Sequence, residues 1–293
     1  MQFRIYTDIK EFYNATYDLL MCHEAQNLIP LGNIIIGKEG KDKSEWRDSE
    51  NWLMATVSDD NDIQLVALMT PPHNITLYVK DNKIVEKTVA SLISGIVDVS
   101  IPGVTARKDM ALPFAHAYCS SKGMSYETSM DQCIYELIEV NPEILHIGTI
   151  RLAEESDMYF LPYWLEAMNS TFKNAVEGFD DSTMHIPQEL ESYLNRIAQK
   201  KLFVLEVQGK PVSIAGITRE MQTVCGIAPV YTPPYFRRKG YATSCVAKLS
   251  QMVLERGFTK CVLYTDLANP TSNSIYQKIG YRPVCDSIML KFV

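Results

Sequence analysis

The sequence has 293 residues, 46% hydrophobic and 22% charged, which is enough to bury cores in two domains of ordinary size and too apolar for a disordered tail. Against 35 Asp and Glu stand 28 Lys and Arg, a formal charge of −7. That balance argues against non-specific binding to nucleic acid or to an anionic membrane, while a local basic patch remains able to hold a phosphate. No apolar run approaches the roughly 20 residues a spanning helix needs, and the opening MQFRIYTDIKEF lacks a cationic segment followed by an apolar one. Neither a membrane span nor a secretory signal is expected.

In chain order, residues 9–27 have amphipathic helical character, and the strand-like segments WLMATVS and IQLVALMT follow, separated by the turn formers Asp59, Asp60, Asn61 and Asp62. After ITLYV a helix begins among Asp81, Asn82 and Lys83. A polar turn at Asn141-Pro142 marks the expected boundary, giving domains 1–143 and 144–293. The second half repeats the order of the first. Met158, Leu161, Leu165 and Met168 fall at helical spacing within residues 154–174, where Pro162 is expected to kink or divide the helix. LFVLEV and VSIAGITR are joined by Gln208-Gly209-Lys210-Pro211, a hairpin turn. CGIAPVY reads as a buried strand ended by Pro233 and Pro234. Ala242, Cys245, Val246, Leu249, Met252 and Val253 form a helical stripe closed by Arg256-Gly257. KCVLYTDL, a short helix from Asn269-Pro270 to Gly280, and the strand SIMLKFV complete a mixed α/β layer.

The seven cysteines, at positions 22, 119, 133, 225, 245, 261 and 285, include no CxxC pair and mostly sit in apolar stretches. Reduced, buried thiols in a cytoplasmic protein are the expectation. The five histidines show no HExxH and no pairing at helical spacing, so no metal site is expected. GxSxG, a Walker loop and GxGxxG are all missing from the sequence.

The most informative segment is PVYTPPYFRRKGYAT, residues 229–243. A strand ends, two prolines stiffen its exit and a helix starts at about Gly240. Helix N-termini offer free backbone N–H groups and the positive end of the dipole, which suits a phosphate or diphosphate. Gly240 lets the backbone approach a ligand, and Ala242 keeps the next position slim. Arg237, Arg238 and Lys239 add positive charge, and no Asp or Glu occurs from Met221 to Leu254. The plain alternative is a solvated basic loop before an ordinary surface helix.

The pattern Arg237-x-x-Gly240-x-Ala242, with the preceding VYTPP, resembles the coenzyme A-binding motif of the GNAT superfamily of N-acetyltransferases, and the resemblance extends over about residues 145–293. Ala242 stands where the second glycine is more frequent. The resemblance implies an α/β (α+β) fold, a mixed, mostly antiparallel sheet flanked by helices. It also implies that backbone amides of Arg238, Lys239, Gly240, Tyr241, Ala242 and Thr243 hold the diphosphate of acetyl-CoA beside Arg237. The pantetheine arm would pair with the backbone of Val230, Tyr231 and Thr232, a main-chain contact that constrains side chains weakly.

In NPTSNSIYQKIGY, Asn269 is a good N-cap, Pro270 suits the first helical position and Gly280 suits the C-terminal cap. Read alone, Tyr276 is a core aromatic. The resemblance gives it a role: GNAT enzymes carry Asn, Tyr seven positions later, then Gly and an aromatic, here Asn269, Tyr276, Gly280 and Tyr281. It implies that Asn269 helps bind the cofactor and that Tyr276 is the general acid. A phenol of pKa about 10 stays protonated beside a departing thiolate whose conjugate acid is near 8.5. No base is identified. Tyr264 stands where some relatives place a Glu, and Glu206, Glu220 and Asp266 read as surface or turn charges.

The resulting expectation is an N-acetyltransferase that uses acetyl-CoA to acetylate a primary amine of a small molecule or peptide, without metal, nucleic acid or membrane partners. The resemblance is to bacterial members. A non-catalytic acyl-CoA sensor and a structural protein are the alternatives. The first half holds no glycine turn and reads as a degenerate GNAT-like fold, with two roles open to it: walling off the acceptor pocket or forming a homodimer. The rings of Tyr159, Phe160, Tyr163, Trp164 and Phe172 open the second half, where core packing and an acceptor site are both open.

Overall fold

The computed structural model describes residues 1–40, 49–168 and 190–293. The chain forms two units, Met1–Ile134 with Val284–Val293, and Tyr135–Pro283. The Asn141-Pro142 turn, where polarity placed the division, therefore lies inside the second unit, and the C-terminal segment belongs to the first. Local polarity marks turns, whereas membership of a unit depends on which strand a segment pairs with, and that is non-local.

The first half runs β1 (Gln2–Tyr6), α1 (Ile9–Met21), α2 (Leu28–Glu39), β2 (Leu53–Asp59), β3 (Asp62–Met69), β4 (Ile75–Val79), α3 (Val85–Gly95), β5 (Gly103–Arg107), α4 (Lys108–Lys122) and β6 (Tyr126–Leu137). The second runs β7 (Thr149–Leu152), α5 (helical residues 161–168), α6 (Leu190–Ala198), β8 (Leu202–Val207), β9 (Lys210–Glu220), β10 (Val224–Tyr231), α7 (Tyr241–Glu255), β11 (Lys260–Asp266), α8 (Pro270–Ile279) and β12 (Arg282–Phe292). Among the described residues the same order of elements occurs twice.

In the first unit β1 to β4 pair antiparallel, β4 pairs β5 in parallel, and β12 lies antiparallel on β5. In the second, β7 to β10 are antiparallel, β10 pairs β11 in parallel, and β6 is the neighbour of β11. The mixed, mostly antiparallel sheet is as expected. The exchange is not: the last strand of the second repeat pairs in the first unit.

Both hairpins have two-residue turns with positive φ at each central residue: Asp60 (49°) and Asn61 (67°), then Gln208 (52°) and Gly209 (71°). That twist matches the flanking strands. The register is equivalent in the two repeats, since Tyr78 faces Val66 and Tyr231 faces Ile214, each followed by an alanine.

Helix α2 contains Pro30 and Gly32, which hid it from a reading by propensity. Pro30 falls in the first turn, where its missing N–H costs nothing. Pro162 likewise stands at the start of α5, and the stretch is divided there, as expected, into a 3-10 turn at Glu155–Tyr159 and the α-helix that follows. On α7 the expected stripe is buried: Cys245, Val246, Leu249 and Val253 are fully covered, with each buried Val or Leu contributing about 1.5–3 kcal/mol. All seven cysteines are free; five are buried, whereas Cys22 is exposed and Cys285 half-buried. Burial pushes the Cys245 and Cys261 thiols up to about 12, so neither is a nucleophile at neutral pH. Among the described residues no helix is long and apolar enough to cross a membrane.

Candidate active site

The site begins where two parallel strands part. β10 and β11 are in register at Val224–Lys260, Cys225–Cys261 and Gly226–Val262, and their pairing ends there. Against β9, the next partners are Ile227–Ile217 and then Val230–Ala215, so β10 carries one extra residue, a bulge, on the stretch that has left β11. Val230, Tyr231 and Thr232 follow this bulge with backbone free of β11. Ser213 holds the strand end from behind: its Oγ donates to the Tyr231 carbonyl at 3.1 Å and lies 2.8 Å from the Thr232 hydroxyl.

The chain then turns through Pro234–Phe236. The Arg237 Nε donates to the Thr232 carbonyl at 2.9 Å, and its guanidinium lies 5.9 Å from the centre of the Tyr231 ring. Arg237 thus ties the turn to the strand end, a job the sequence did not reveal. Arg238 (φ 63°) and Gly240 (φ 77°) are both left-handed, with Lys239 between them, and all three are exposed. Gly240 caps α7 without a side-chain hydrogen bond, and the first turn carries no acid. The Ser244 N–H is the first to find a helical acceptor, the Gly240 carbonyl at 3.0 Å. The amides of Tyr241, Ala242 and Thr243 therefore point out of the helix unclaimed, with the dipole behind them.

The matching junction in the first unit is built oppositely. Asp81 accepts from the Lys83 N–H at 2.9 Å, Glu86 lies in the first turn of α3, and Arg107 donates to Asn82 at 2.9 Å. That helix entrance already carries its own carboxylates.

Ser244, fully buried, accepts from the Ile147 N–H and donates to the Leu145 carbonyl, both at 2.9 Å. It seats the 145–147 segment beside the mouth of α7, where a Cβ on Gly240 would come within 3.3 Å of Ile147 Cδ1. No sequence pattern singled out Ser244.

α8 lies against α7 and β11. Asn269 caps it, accepting from the Ser272 N–H at 3.1 Å, and is exposed. Asn273, one turn on, donates to the carbonyls of Asp266 (3.1 Å) and Asn269 (2.9 Å), fastening the helix start to the end of β11. Tyr276 is buried, its ring 5.9 Å from that of Tyr281 and nearly edge-on. Tyr281 is hydrogen-bonded to Ser250 at 2.8 Å, whereas the Tyr276 hydroxyl has no partner among the described residues. Burial alone pushes Tyr276 up to about 12.

The Acetyltransferase (GNAT) family matches residues 161–281. That stretch is similar to a GNAT acetyltransferase domain. Among solved structures, a GNAT-family acetyltransferase from Colwellia psychrerythraea is 11% identical, with a TM-score of 0.57 and coverage of 100% of this chain and 99% of that one. A Drosophila protein is 11% identical, with a TM-score of 0.66 and coverage of 99% and 98%. A GCN5-related N-acetyltransferase from Sphaerobacter thermophilus is 14% identical, with a TM-score of 0.59 and coverage of 99% and 95%. At these identities the likeness is one of fold. No curated protein sequence gives a significant match.

The carboxylates that the sequence offered have partners of their own. Arg151 binds Glu206 at 2.7 Å and clamps Asp157 with bonds of 2.7 and 2.8 Å. Glu220 pairs with Lys201 at 3.4 Å, and Asp266 accepts from the Ala268 N–H at 2.8 Å. The reading of Glu206 and Asp266 as structural charges fits these partners. The aromatic residues form a run of rings: Tyr159 to Phe160 (5.0 Å), Phe160 to Trp164 (4.5 Å) and Trp164 to Tyr231 (6.3 Å). Phe160 is core, while Tyr159 and Tyr163 are exposed; Phe172 lies outside the described residues.

Proposed function

We propose that the GNAT domain transfers an acetyl group from acetyl-CoA to a primary amine of a small molecule or peptide. The observation that carries this reading is the junction of an unpaired strand end with an uncapped, acid-free helix mouth. Together they offer main-chain groups for an amide-bearing arm and N–H donors for a diphosphate. In this reading the amides of Arg238 to Thr243 hold the diphosphate, with Arg238 and Lys239 supplying charge at the mouth. Arg237 keeps the turn in place and Asn269 shapes the far wall. The thioester supplies an activated acetyl group. As the neutral amine nitrogen bonds to the acetyl carbon, the carbon–sulfur bond breaks, the backbone N–H groups near Val230 polarise the carbonyl, and the Tyr276 hydroxyl gives its proton to the departing sulfur; the nitrogen releases its surplus proton to water, which returns one to the tyrosinate.

The first unit is, on this reading, an accessory copy of the fold, in which Asp81 caps a 3-10 turn, Asn82–Ile84, ahead of α3. Support of a homodimer is its proposed role. Free, mostly buried thiols fit a reducing cytoplasm.

Thermal unfolding tests cofactor binding. At one hundred times Kd, acetyl-CoA stabilises by about 2.7 kcal/mol, raising the midpoint of the second unit, Tyr135–Pro283, by roughly 5–11 °C at about 2–4 °C per kcal/mol for a unit of this size. A flat response would support a structural protein.

A further inference from the structure

Two arginines of the second unit are treated differently. Arg151 faces two carboxylates, and those partners hold its pKa above the ordinary arginine value. Arg196, on the last turn of α6, has none among the described residues. It is half-buried, and burial pushes its pKa down. Its Nε is buried without a partner, and its recorded hydrogen bond runs from Nη2 to the Ala228 carbonyl at 3.1 Å. A cation withdrawn from water without an anion is costly, and a protein that retains one gains from an anion that arrives later.

The position says where that anion would be. Ala228 lies in the β10 bulge, on the stretch that has parted from β11, and Pro229 and Val230 follow it directly. Arg196 therefore stands over the segment whose backbone would face the thioester. The aromatic run from Tyr159 to Tyr231 borders the same strand end. A planar guanidinium suits a carboxylate, which it can bind through two nitrogens.

We infer that Arg196 is a specificity-determining residue that binds a carboxylate of the acceptor, so that the substrate is an amine that also carries a carboxylate, such as an amino acid. The inference rests on the acetyltransferase reading and narrows its substrate class. Charge at this one place outweighs the acidic charge of the whole chain, which by itself points weakly to cations.

The test compares α-amino acids with their α-carboxamides as acceptors for the full chain, in wild type, R196Q and R196K. Coenzyme A binding and thermal stability are measured in parallel. For at least one amino acid, the acid-to-amide ratio of kcat/KM is expected to fall tenfold or more in R196Q, through KM for the acid, with an intermediate ratio in R196K. Equal ratios in all three proteins would overturn the inference and leave Arg196 as a brace for the bulge. A wild type that acetylates only amines without a carboxylate would overturn it too, even if R196Q fails to fold. A wild type that binds no coenzyme A would overturn the acetyltransferase reading and this inference with it, whereas binding and turnover with unchanged ratios would remove the inference alone.

Discussion

Gly240→Glu is expected to abolish acetyl-CoA binding while leaving the protein folded. Two consequences of the substitution oppose each other in the fold. A side chain at φ 77° costs about 1–2 kcal/mol. A carboxylate at the N-terminus of α7 returns about 0.3–1 kcal/mol through the helix dipole. The added Cβ meets the end of a flexible isoleucine side chain at 3.3 Å, a contact that small movements relieve. The net loss of stability is small. Binding has no such compensation. The new carboxylate competes for the N–H groups that the diphosphate needs and repels it. Losing two charge-assisted hydrogen bonds, at about 1.5–3 kcal/mol each, weakens binding roughly a hundredfold to ten-thousandfold. Gly240→Ala, strained but uncharged, should bind far better than the glutamate variant. Titration calorimetry with acetyl-CoA checks both, and wild-type affinity in Gly240→Glu would mean that the diphosphate binds elsewhere.

Tyr276→Phe should separate catalysis from binding. Turnover is expected to fall by about two to four powers of ten, with coenzyme A affinity unchanged. Stability should hold, because the hydroxyl removed makes no hydrogen bond to another described residue and is not among their buried unpartnered polar atoms. A merely structural tyrosine would give the reverse, normal turnover and a lower melting point. The pH profile adds a signature. A general acid works while protonated, and with its pKa held at about 12 the loss of rate from Tyr276 should begin only near pH 11. An unperturbed phenol would begin to lose rate near pH 9. Unchanged turnover in the phenylalanine variant would place the acid elsewhere. Coenzyme A binding with no turnover even in wild type would favour the sensor.

What could be read from the sequence follows from the range of the forces involved. The Gln208-Gly209 hairpin, the stripe on α7 and the Asn269 cap all depend on residues a few positions apart, so periodicity and turn chemistry reveal them. The exchange of β12 does not, because strand partners are chosen across the whole chain. The same limit hid Ser244, whose partners at Leu145 and Ile147 are nearly one hundred residues away. Arg237 was legible as a charge, but its hydrogen bond to Thr232 shows it bracing the turn. Arg196 carried no signal in a helix whose pattern reads as ordinary amphipathicity. It stands out only when its surroundings show that no acid among the described residues faces it.

The claim on which the account depends is that the first-turn amides of α7 receive the diphosphate. Nitrogen-15 amide spectra of the full chain, recorded during a coenzyme A titration, test it directly. The account predicts that Gly240, Tyr241, Ala242 and Thr243 show large, saturable shifts, while the counterpart amides Val85 and Glu86 at the mouth of α3 stay in place. Saturating shifts elsewhere, with the amides of residues 240–243 unmoved, would contradict it.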